Sequence, residues 1–198
     1  MKTRKLVVAT VWIAAACFGA EPKLTVVIVD YSGTPDATLK AAAETAAGVF
    51  RLAGVETEWS VCRGPKDPNE HCDHPPAGTV RMNVVPRRPE GGLQPREELG
   101  YALMCPGCDI SYAFFQPVKA LAEDATGLLY VALAVVMAHE VGHLLGLGHS
   151  PRGIMKACLW PRDIQDAAAG RLRFIEEDAR KLRAAVAERE LALLAAAR

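Results

Sequence analysis

The chain has 198 residues, 51% of them hydrophobic and 23% charged, with 23 Lys and Arg against 23 Asp and Glu. This length suits one domain whose core stands without a structural metal, and the balanced charge excludes the basic footprint of a nucleic-acid binder.

Met1 to Ala20 opens with Lys2, Arg4 and Lys5, runs through an apolar stretch from Leu6 to Ala16 and closes in small residues, the pattern of a secretory signal peptide. Its removal starts the mature chain near Glu21, with three more acidic than basic side chains, and places the protein outside the cytoplasm, secreted or periplasmic. The apolar stretch is short for a membrane span. Cys17, after Ala14, Ala15 and Ala16, loosely resembles the lipid-attachment box of bacterial lipoproteins. Two outcomes follow: a lipid anchor at Cys17 that holds the protein at the cell envelope, or loss of Cys17 with the signal.

Past the leader, Lys23 to Asp30 is a β-branched run that reads as a buried strand, and Tyr31 to Pro35 is a turn. Asp36 to Leu52 is Ala-rich with apolar positions at helical spacing, and Gly54 stops it. Val55 to Cys62 and Thr79 to Val85 give the second and third strands, separated by a charged, Pro-rich loop. Leu99 to Met104 and Ile110 to Phe115 are two short strands about a tight Cys-Pro-Gly-Cys turn. A long helix from Thr126 to Leu145 follows; its apolar part, Leu128 to Ala138, is shorter than the roughly 20 residues a bilayer needs and reads as a buried helix. Asp163 to Gly170 forms a short helix and Phe174 to Leu194 an amphipathic one, supported by Glu176 with Arg180 and Glu177 with Lys181 at i, i+4.

Residues His139 to His149 read HEVGHLLGLGH. Positions four apart on a helix project from one face about 6 Å apart along the axis, so His139 and His143 can both turn a nitrogen to one ion. Glu140 lies beside the first of them, able to reach a metal-bound water as general base. Gly146 can take a left-handed conformation, end the helix and return the chain, which brings His149 in as third ligand and leaves one tetrahedral position open.

HExxHxxGxxH followed by a methionine turn resembles the metzincin metallopeptidases. Ser150 to Gly153 form the turn-rich link, and Ile154 with Met155 resemble the Met-turn, so the resemblance makes Met155 a floor beneath the metal rather than a ligand. It implies an α+β fold: a twisted five-stranded mixed sheet with an active-site helix and a small C-terminal helical subdomain. Residues 21–198 then form a single catalytic domain, with subdomains of about 21–149 and 150–198. It also implies one zinc per chain and an extended peptide or protein substrate paired with the edge strand at Leu99, Gly100, Tyr101, Ala102, Leu103 and Met104. No Tyr lies just past the Met-turn, where astacin-like and serralysin-like enzymes carry a further zinc contact; Trp160 is nearby and does not match.

Cys62, His71, Cys72 and His74 cluster in one loop. Their spacing matches no common finger, and a Cys62 to Cys72 disulfide is the simpler reading in an exported protein, against a second metal site. Cys105 and Cys108 have CxxC spacing between strands rather than at a helix start, which favours a structural bond, and Cys158 is left unpaired. The function that follows is a zinc endopeptidase working as a monomer, with no nucleic acid and no membrane contact other than an anchor at Cys17. The alternatives are a zinc-binding module with little turnover, and a hydrolase of small peptides or other amides.

Overall fold

The computed structural model describes residues 23–64, 67, 72, 74–88, 98–105, 107–125 and 127–198. The leader, with Cys17, and His71 therefore lie outside the described residues. Five strands form one sheet: β1 (Lys23–Asp30), β2 (Glu56–Cys62), β3 (Val80–Val85), β4 (Gly100–Ala102) and β5 (Ile110–Phe114). They lie in the order β2-β1-β3-β5-β4. All neighbours are parallel except β4, which runs antiparallel to β5 at one edge. This is the mixed α+β sheet expected. Helix α1 (Asp36–Leu52) makes the crossover from β1 to β2 that a parallel pair requires.

Alternation along the strands divides the two faces. Leu24, Val26 and Ile28 of β1, with Val80, Met82 and Val84 of β3, join the main core under the helices. Val27 and Val29 point the other way, where Cys62 and Cys72 cover them. The Cys62–Cys72 disulfide thus closes its loop over the outer face.

A second helix, α2 (Phe115–Asp124), follows β5 directly, where the sequence reading had placed Phe115 in the strand and no helix beyond it. Its signal was there: Val118, Ala122 and Ala125 are buried at helical spacing. The next helix, α3 (Leu129–Leu144), starts three residues later than the expected Thr126, a residue outside the described set. Gly127 at φ +82 separates the two helices. Every residue of α3 from Val131 to Gly142 is buried, because α1, α2, β4 and β5 all pack against it. That explains an apolar run with no polar stripe.

Helix α4 (Pro161–Ala168) starts two residues before the expected Asp163, with Pro161 in its first turn. Helix α5 (Glu176–Ala196) starts after Phe174, which instead turns into the core against Phe50 with ring centroids 5.3 Å apart. Of the two expected pairs along α5, Glu177 and Lys181 meet at 2.8 Å, whereas Glu176 reaches Arg183 rather than Arg180. Helix α5 lies across the ends at which the parallel strands begin. Arg183 donates to the Ala53 carbonyl ahead of β2, and the Lys23 backbone N–H at the start of β1 donates to Glu190. Arg189 donates to the Gly78 carbonyl ahead of β3 and pairs with Asp109 ahead of β5.

Candidate metal centre

The three histidines meet. One ligand nitrogen from each of His139, His143 and His149 lies within 4.8 Å of the others. The first two come from α3, one turn apart, with their Nε2 atoms 3.0 Å apart. Gly146, at φ +83, ends the helix and returns the chain, as expected, so that His149 arrives from the loop beyond.

The tautomers are set from behind. His139 Nδ1 lies 2.8 Å from the Ile154 carbonyl and His143 Nδ1 lies 2.8 Å from that of Leu147. A carbonyl only accepts, so each Nδ1 carries the proton and each Nε2 presents a lone pair to its neighbours. Burial pushes His139 down to about 4 against the pull of its Ile154 hydrogen bond, and His143 is lowered for the same reason. Both rings are thus neutral near pH 7. Neutral imidazoles with converging lone pairs suit a divalent cation: in a tetrahedral zinc site with Zn–N of about 2.0–2.1 Å, ligand nitrogens stand about 3.3 Å apart. The donor set fits zinc.

Met155 is fully buried and lies against the helix that carries two of the histidines. Its seat depends on Gly142, inside the motif: a Cβ there would lie 2.7 Å from Met155 Sδ. The turn that carries Met155 is closed by Ser150 N–H to the Met155 carbonyl at 2.7 Å and by Ile154 N–H to the Arg173 carbonyl at 3.1 Å. Next in the chain, Lys156 pairs with Asp163 at 2.7 Å, and Asp163 also accepts from the Trp160 N–H at the start of α4.

Glu140 is 6% exposed and faces β4. A Cβ on Gly100 would lie 2.6 Å from its Oε1, so the glycine is what lets the edge strand pass over the carboxylate. Burial, and secondarily the negative charge of Glu98, pushes Glu140 up to about 8. Glu98 is itself paired with Arg88 at 2.5 Å. Of the remaining candidate substrate-binding residues, Ala102 shares the inner face with Gly100, and Tyr101 is 45% exposed beside Tyr112. Leu99 and Leu103 are held by single hydrogen bonds to Phe114 and Ile110, while Met104 lies past the strand end, 67% exposed. The sequence does not single out Gly142, Asp178 or Glu98, and it marks Ser150 only as part of the link to the Met-turn. Only Gly142 had a visible signal, a glycine in the middle of a helix with no other reason to be there.

Cys105 and Cys108 form the second disulfide, Cys158 is free and exposed, and His74 is exposed. Among the described residues the three motif histidines are the one group with metal-ligand geometry.

Sheet, helices and histidine group together define a zinc metallopeptidase-like fold. Solved structures share it, among them the following two. Archaemetzincin from Methanopyrus kandleri superposes with a TM-score of 0.54 at 15% identity, over 85% of this chain and 98% of its own. Metalloproteinase-II from Bacteroides fragilis gives 0.51 at 9% identity, over 84% of this chain and 54% of its own. No family model matches the sequence, and no curated protein sequence does.

Proposed function

We propose that the chain is a metzincin-type zinc endopeptidase that cleaves peptides or proteins lying along β4. What carries this is one arrangement: three histidine nitrogens beside a buried carboxylate, Glu140, against an edge strand. Zinc, one per chain on His139, His143 and His149, would supply a Lewis acid and a water of lowered pKa. Glu140 accepts a proton at its carboxylate and returns it to the leaving amine. Burial holds Glu140 as the neutral acid near pH 7, and the charge of a cation held by the three histidines would oppose this and favour the carboxylate. The outer edge of β4, with Leu99, Leu103 and Met104 on either side of it, would offer backbone groups to an extended substrate. A fold neighbour named as a metalloproteinase supports the same reading. Two disulfides fit an extracellular setting, to which the leader would deliver a monomer.

The test is a diverse peptide library incubated with the zinc-loaded protein and with Glu140→Gln, cuts being mapped by mass spectrometry. Glu140→Gln should keep its zinc and lose about 10² to 10⁴ in rate. Equal cleavage by both would remove Glu140 from the mechanism. Zinc bound by both with no cleavage by either would make the chain a binding module, and cuts confined to the shortest peptides would make it a small-peptide hydrolase.

A further inference from the structure

Nine large hydrophobic side chains are exposed among the described residues, and four of them are aromatic. The five aliphatic ones, Leu52, Met104, Leu191, Leu193 and Leu194, all lie at one pole, where the parallel strands begin. Leu52 ends α1 just ahead of Ala53, which α5 touches through Arg183. Met104 follows Leu103, whose N–H pairs with the first residue of β5. The three other leucines belong to the last turns of α5, where residues 191–198 read LALLAAAR and are exposed throughout. Leu193 partly seats against Gly78, where a Cβ would collide with it. Leu191 and Leu194, one turn apart, are 68% and 63% exposed. An apolar helix end without one acidic side chain is unusual on a water-facing surface.

The first described residue lies at this same pole. The backbone N–H of Lys23, the first described residue, donates to Glu190, one residue before Leu191. Cys17 lies six residues earlier, and an extended chain of that length spans about 20 Å at most. A lipid on Cys17, or the apolar leader itself in the membrane, would therefore hold the aliphatic pole within reach of a bilayer surface. No helix among the described residues is long and apolar enough to cross a membrane, so this would be contact at the interface.

We propose that the pole formed by the ends of α5 and α1 and by the β4–β5 turn is a phospholipid-bilayer contact surface, with Leu191 and Leu194 entering between the headgroups. Arg198, exposed at the end of the same run, suits the phosphate level, whereas the Lys23 ammonium is paired with Glu58 at 2.8 Å. This contact is a property of the folded protein and adds to any acyl chain.

The test uses full-length protein in the form delivered by an exporting host, floated on a density gradient with vesicles of phosphatidylethanolamine and phosphatidylglycerol. All arms carry Cys17→Ser, which removes the acyl chain. The Cys17→Ser protein should still float with the vesicles. Adding Leu191→Glu and Leu194→Glu together should lower the bound fraction about tenfold, while adding Tyr130→Glu, in the first turn of α3, should leave it unchanged. Zinc content and melting temperature check that each variant folds. Failure of the Cys17→Ser protein to float, or equal flotation with the two glutamates present, overturns the proposal. A dimer that the two glutamates dissociate, with flotation unaffected, overturns it too and gives the surface to a second copy of the chain.

Discussion

Two of the three histidines stand on a helix and one on a loop, and they are held by different means. His139 and His143 project from α3, which is packed on every side, and each has its Nδ1 tied to a backbone carbonyl. His149 is exposed, and among the described residues no carbonyl takes a hydrogen bond from its ring. Its neighbour holds it instead: Ser150 Oγ donates to Asp178, a carboxylate 3% exposed on α5, at 2.9 and 3.0 Å. Half of the site is thus built by burial and half by a side-chain tether from the far end of the chain. Outer contacts of this kind orient ligands as much as the ligands' own geometry does.

The largest effect should come from the helix half. His139→Ala or His143→Ala should abolish zinc binding in a chelator competition, whereas His149→Ala should leave weak residual binding by the two preset nitrogens. Equal loss in all three would erase the distinction. Next in size is the cost of burying Glu140. Its pKa in the folded protein lies above 4.5, so the stability of the neutral form is complete below that pH and is lost as pH rises through about 8. Metal-free protein should accordingly lose stability relative to Glu140→Gln across that window, by an amount on the order of a few kcal/mol in denaturant titrations at stepped pH. A gap that stays flat with pH would mean the carboxylate is not buried as described.

The loop half should respond more gently. Asp178→Asn or Ser150→Ala should weaken zinc about 10- to 100-fold, the range of outer-contact mutations, with His139 and His143 still in place. Affinity unchanged in both would leave His149 positioned by the turn alone. Smallest is the floor: Met155→Leu, close in volume, should cost less than about 1.5 kcal/mol in a thermal melt and retain zinc. Loss of the metal there would give Met155 a role beyond packing.

The helix half was legible in the sequence because helical periodicity fixes where His139, Glu140 and His143 point, whatever surrounds them. Gly146 was legible for the same reason, as a break in that period. The tether was not: Ser150 and Asp178 are 28 residues apart and only packing brings them together. Nor was Glu98, which approaches Glu140 through sheet topology. The parallel strands could be read from their β-branched runs. Helix α2 was missed because only two of its described side chains, Val118 and Ala122, are buried, and β4 shrank to Gly100–Ala102 because an edge strand keeps only the residues its single neighbour can pair.

The placement of α5 also decides when the molecule can finish folding. The bond from Lys23 to Glu190 joins residues 167 apart, and the strand starts stay uncovered until the final helix exists. Contacts of such separation slow folding, since the ends of a long loop must meet before anything is gained. A chain still being made or threaded therefore keeps the lower rim of its sheet open, and completion of the core waits for α5, whose Leu182 and Val186 are buried.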